Sequence, residues 1–123
     1  DQDVRSDSVW FDRSTRHVAL VAEFERYSGR HKDLSPKVET LLLAQQRWEC
    51  PNATLLLAYW SVGLVTLPDH DLLRSIVRGG FHAGGGVRVP GNSAARILFC
   101  QFVVRAGQDG LLRLENILQR GES

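Results

Sequence analysis

The chain has 123 residues, 43% of them hydrophobic and 24% charged, which is the size and apolar content of one packed domain. Fifteen Lys and Arg against fourteen Asp and Glu leave a net charge of +1, excluding a histone-like, purely electrostatic nucleic-acid binder. The longest nearly apolar run, 54–67, is broken by Ser61, Gly63 and Thr66 and falls short of the roughly 20 residues of a membrane-spanning helix. A soluble, cytoplasmic protein without membrane contact is therefore expected. The chain begins at Asp1 without a basic-then-apolar leader, which reads as a domain trimmed at its N-terminus, residues 1–7 being flexible or cut back. Cys50 and Cys100 fit neither a disulfide framework nor a zinc site by spacing and read as core or near-surface thiols, although one bridge between them is open in an oxidising compartment.

Ser8 to Asp12 predicts a short strand, 13–16 a polar turn and His17 to Tyr27 a long second strand, together a hairpin. In the second strand Val18, Leu20, Ala22 and Phe24 share one face, and Ala19, Val21, Glu23 and Glu25 share the other. That second face passes from apolar to acidic along its length. The early part reads as a strand covered on both faces, and the acidic end as the point where the sheet opens to solvent or to a site. After a polar loop, Ser35 reads as a cap and Pro36 as the first residue of a helix to about Trp48, with Val38, Leu41, Leu42 and Gln45 at helical spacing. The apolar run Thr54 to Trp60 predicts a buried strand parallel to an earlier one, completing a βαβ unit. Pro68 and Asp69 open a second helix to about Arg78, with Leu72, Leu73, Ile76 and Val77 as its core stripe. The glycine-rich stretch 79–92 reads as a loop. Arg96 to Arg105 and Leu111 to Leu118 read as strands joined by a hairpin turn at Gly107–Gly110, with a helix beginning at Ser93 as the alternative.

Glu23 and Glu25 project from one face of a strand, roughly 6.5 to 7 Å apart along the backbone. Asp12 ends the partner strand. Its carboxylate lies either beside the acidic end or, if the strands run past the turn differently, well away from it. Three gathered carboxylates repel unless a cation neutralises them, and oxygen ligands suit Mg²⁺ or Mn²⁺. Asp12, Glu23 and Glu25 are thus the expected metal ligands. A water on such an ion is a better nucleophile toward phosphorus, so metal-assisted phosphodiester cleavage is the chemistry this cluster points to.

Phe11-Asp12 followed by Val21-Ala22-Glu23-Phe24-Glu25-Arg26 resembles the motif of the PD-(D/E)XK restriction-endonuclease-like nucleases, an Asp on one strand and Glu-x-Lys on the next. The succeeding order of helix, strand and helix is similar to that family's core over roughly residues 8 to 80. The resemblance implies an α/β three-layer sandwich with a mixed central sheet and helices on both faces, and a Mg²⁺-dependent enzyme cutting DNA. Three departures stand out: no Pro precedes Asp12, no helix is recognisable in 1–7, and Glu25 occupies the lysine's place. A minority of the family carries Glu there, which implies a ligand or a base acting through water. A cation supplied from elsewhere is the alternative, with Lys37 first, then Arg26 or Lys32. Gln45 or Gln46 resembles a glutamine that some exonuclease-like members carry on this helix.

Simpler readings compete. Glu23 and Glu25 also suit a solvated strand edge, and Asp12 suits the cap of a turn. Gly84–Gly86 with Arg88 lacks the Lys and Ser or Thr of a phosphate-binding P-loop and reads as a flexible loop. His17, His31, His70 and His82 show no ligand spacing. Arg74, Arg78, Arg88, Arg96 and Arg105 are scattered and read as solubilising. So short a chain leaves little room for a sequence-reading element, so specificity calls for a homodimer or a fused or partner domain. The rival function is a non-catalytic module that keeps the fold and holds protein or DNA.

Overall fold

A computed structural model describes residues 8–121, so the expectation for residues 1–7 lies outside the described residues. Strands β1 (Ser8–Phe11) and β2 (Val18–Arg26) form the expected hairpin, and helix α1 (Ser35–Arg47) crosses over to β3 (Thr54–Val62). Helix α2 (His70–Gly79) follows, then β4 (Gly80–His82), β5 (Arg88–Pro90), β6 (Ile97–Ala106) and β7 (Leu112–Arg120). The main sheet has five strands in the order β1-β2-β3-β6-β7. Pairing is parallel from β2 to β3 and from β3 to β6, and antiparallel at both edges.

Both parallel crossovers advance in the same direction across the sheet, so right-handed connections put both helices on one face. One continuous core forms there: Leu41 and Leu42 of α1 and Leu73 and Val77 of α2 pack with Val21, Leu55, Leu57, Tyr59, Ile97 and Phe99. The strand register aligns these side chains in rows, with Val21, Leu55 and Ile97 side by side, then Leu57 and Phe99. The alternate positions form the other face. There Phe24, Leu114 and Ile117 are 48%, 56% and 53% exposed. Among the described residues the architecture is α/β with the expected mixed central sheet, and the correction to the expected three-layer sandwich is that both helices lie on one face of the sheet rather than on both. The resemblance, together with the apolar early part of β2 on both its faces, was the reason for expecting cover on both sides. The even-numbered members of β3, Leu56, Ala58 and Trp60, lie on that other face with Leu98, Cys100 and Phe102; Ala58 is buried there and the rest are half-buried.

Local signals set the helix ends. Asp69 caps α2, its carboxylate accepting from the Leu72 backbone N–H at 3.0 Å. Ser35 does not cap α1, because Leu34 holds the cap position with no side-chain hydrogen bond and is itself fully buried in the core. The stretch expected to be a loop, 79–92, contains the small ribbon of β4 and β5 instead. Gly80 makes this possible: it ends α2 at φ 84°, and a Cβ there would collide with the carbonyl of Val89. Cys50 and Cys100 are both free thiols.

Leu57→Ala should cost about 2–5 kcal/mol in equilibrium urea unfolding, because it opens a cavity under both helices. Leu114→Ala should stay within about 0.5 kcal/mol. Equal costs would mean that the open sheet face is covered in solution.

Candidate functional site

The carboxyl end of β2 is where the two glutamates stand, on the face that carries the helices. Register places Glu23 beside Leu57 and Glu25 beside Tyr59. Glu23 is only 1% exposed, whereas Glu25 is about a third exposed at its side chain. The acidic end of β2 thus turns inward under the start of α1 before it meets solvent. One Glu25 oxygen accepts from the Arg26 backbone N–H at 2.9 Å. The other lies 3.8 Å from the Lys37 ammonium, in the first turn of α1. Lys37, the first-choice alternative cation, is therefore brought to the site by the crossover. Arg26 is not: its guanidinium lies 5.2 Å over the Trp60 ring on the opposite face. Lys32 is exposed in the loop before α1.

Asp12 is not brought there either. Its backbone N–H donates to the His17 carbonyl at 2.8 Å, which fixes it beside the start of β2. Glu23 lies six residues further along that strand, about 20 Å away at strand rise. The Asp12 carboxylate accepts from the Ser14 hydroxyl at 2.6 Å and from the backbone N–H groups of Ser14 and Thr15 at 2.8 and 3.1 Å. These bonds, led by the Ser14 hydroxyl, hold its pKa below the usual carboxylate value. Asp12 caps the turn, so the expected trio of metal ligands Asp12, Glu23 and Glu25 is corrected: a tight antiparallel hairpin puts the turn residue and the strand's far end at opposite ends. Among the described residues no group of three or more His, Cys, Asp or Glu is placed to hold a metal ion. Glu23 and Glu25 supply two carboxylates of the right chemistry for Mg²⁺ or Mn²⁺, and a further ligand would have to come from elsewhere.

Gln45 and Gln46 have structural work instead. Buried Gln45 donates to the Ala53 carbonyl at 3.1 Å and accepts from the Asn92 amide at 3.0 Å, while Gln46 donates to the Pro90 carbonyl at 2.8 Å. Both tie the end of α1 to the β4–β5 region, a full helix length from Glu25.

The same face holds polar residues that sequence reasoning missed. Tyr59 and Gln101 are fully buried neighbours in the row that begins with Glu25. The Tyr59 hydroxyl meets His70 Nε2 at 2.8 Å, Gln101 donates to the Ser61 hydroxyl at 3.1 Å, and Arg120 donates to Gln101 at 3.0 Å. Gln101 inside the apolar run of β6 was the available signal, because a buried amide demands partners. His70, read as a surface residue, packs against Phe99 with ring centroids 4.9 Å apart. Burial first, then the charges of Arg120 and Arg74, lowers its pKa from the ordinary 6.5. Compared with known proteins, the chain matches no family model, no curated sequence and no solved structure. Among the described residues no helix is long and apolar enough to cross a membrane.

Because the fold holds His70 neutral while the unfolded chain protonates it, folding stability should be complete above about pH 6.5 and decline as the pH falls below that. In urea titrations at pH 7.5 and 5.5, His70→Gln should show a smaller drop between the two pH values than the parent. An equal drop would assign the acid sensitivity to other groups.

Proposed function

We propose that the chain is a metal-dependent phosphodiesterase acting on DNA, with its site at the carboxyl end of β2. The observation that carries this reading is the arrangement of buried Glu23, two residues before Glu25, with Glu25 paired to Lys37 at 3.8 Å. Carboxyl ends of parallel strands are where open α/β sheets place their ligands. Fully buried carboxylates are rare unless paired, and they recur at functional sites. The resemblance to the PD-(D/E)XK nucleases adds the roles. Glu23 and Glu25 would hold Mg²⁺ or Mn²⁺, which supplies charge neutralisation and an activated water when bound. Lys37 supplies the cation that the motif lacks at position 25, and it orients the attacking water or stabilises charge on the scissile phosphate.

A second reading, a non-catalytic module docking a homodimer mate or partner domain, is favoured by the open apolar sheet face bearing Phe24, Leu114 and Ile117.

Calorimetric titration of Mn²⁺ into chelator-treated protein separates the two. Binding should be lost in Glu23→Gln and unchanged in Asp12→Asn. Lys37→Ala should retain binding but slow plasmid cleavage about a hundredfold, the scale of a lost acid–base or orienting group. No binding by the parent, or binding indifferent to Glu23→Gln, leaves only the docking module.

A further inference from the structure

Arginines far apart in sequence converge on one cleft at the α2 side of the β6–β7 edge. Arg74 and Arg78 are one helical turn apart on α2, Arg96 directly precedes β6, and Arg120 ends β7 opposite Phe99. These four guanidinium groups line a cleft of about 230 Å³, with Gln119 beside them. Arg74 is 7% exposed and lies 5.5 Å over the Phe99 ring. It is fixed by the Asp71 carboxylate at 3.0 Å and by the carbonyl of Gly121.

The other tethers are neutral. Arg78 donates through Nε to the Ala95 carbonyl at 3.2 Å, and Arg120 through Nε to the Gln101 side chain at 3.0 Å. Both bonds leave the forked Nη ends unengaged among the described residues. Arg96 is exposed and makes no side-chain hydrogen bond or ion pair among them. Among the described residues these four positive groups have one ion-paired carboxylate, Asp71, whose side chain is 93% exposed. Gathering like charges around a concave, partly buried wall is unfavourable unless an anion occupies it. Burial first, and then Arg120 and Arg74, also hold the pKa of neighbouring His70 below its ordinary value.

We propose that this cleft binds a phosphoryl group, held by the guanidinium forks of Arg78, Arg96 and Arg120 with Arg74 as its buried floor. Planar guanidinium donors match the tetrahedral oxyanion in pairs of parallel hydrogen bonds, and several guanidinium groups favour phosphate over a single carboxylate. The chemistry is the same for free phosphate, a nucleotide and the backbone of a nucleic acid. The site does not rest on the phosphodiesterase reading: Arg120 stands three strands from Glu23 in the same row, roughly 14 Å across the sheet.

Calorimetry with inorganic phosphate and, separately, fluorescence anisotropy with a labelled unphosphorylated DNA oligonucleotide test the site on the parent, Arg96→Glu and Arg113→Glu. Arg113 is exposed and pairs with Asp109, so its reversal changes net charge equally but leaves the cleft intact. Arg96→Glu should weaken binding at least tenfold and Arg113→Glu little. Weakening seen with phosphate assigns a free phosphoryl ligand, and weakening seen only with the oligonucleotide assigns a backbone. If neither probe binds the parent, or both reversals weaken binding equally, the site is refuted. Arg96→Ala, checked by thermal melting, replaces Arg96→Glu should the reversal disturb folding. Neither variant touches Glu23, so a Mn²⁺ titration on both separates failure here from failure at β2.

Discussion

Burial of both helices against a single face of the sheet is the constraint from which the other features follow. The parallel strands β2, β3 and β6 lie side by side, and each connection between neighbours must cross over that sheet. With a fixed hand and a fixed direction of advance, α1 and α2 have only one face to cover. Leu41, Leu42, Leu73 and Val77 then meet Leu55, Leu57 and Phe99 in one core. The cost of this solution is an opposite face on which Phe24, Leu114 and Ile117 remain about half exposed. Apolar surface of that extent on a sheet invites a second layer from outside the described residues or from another molecule.

The same packing distributes the polar chemistry. Strand register sets Glu25, Tyr59, Gln101 and Leu118 in one row, and Glu23, Leu57, Phe99 and Arg120 in the adjacent one. Acidic groups end up at the β2 side and arginines at the β7 side, with apolar and amide side chains between them. Lys37 joins the acidic side because α1 begins just above β2's end. Buried Tyr59, Gln101 and Ser61 are satisfied in the middle by one another and by half-buried His70 and Arg120, so their hydrogen bonds also fix the strand order.

Two charged regions of opposite sign on one face suit a polyanionic substrate, which an arginine cleft can hold while carboxylates and a cation act on one bond. That picture joins the phosphodiesterase reading to the phosphoryl cleft without making either depend on the other. Loss of the first leaves an anion-binding layer with an open apolar back.

Local residue patterns were enough to locate both helices and the strands of the main sheet, though not the β4–β5 ribbon. Val18 to Phe24 announced β2 and its two faces, Thr54 to Trp60 announced β3, and Gly107–Gly110 announced the β6–β7 turn, because period-two and period-3.6 patterns are local properties. The pair Glu23 and Glu25 was legible for the same reason. Partnership between distant segments was not. Asp12 looked like a companion of Glu23 because both end motif-like strands, yet hairpin register sends it to the far end, a fact carried by the Asp12–His17 bond. Arg74, Arg78 and Arg96 looked scattered, and Arg120 was not singled out, because the crossover and the final hairpin that gather them span 47 residues of chain between Arg74 and Gly121. Side chains record which face they prefer, and only the order and direction of strands decides which faces meet.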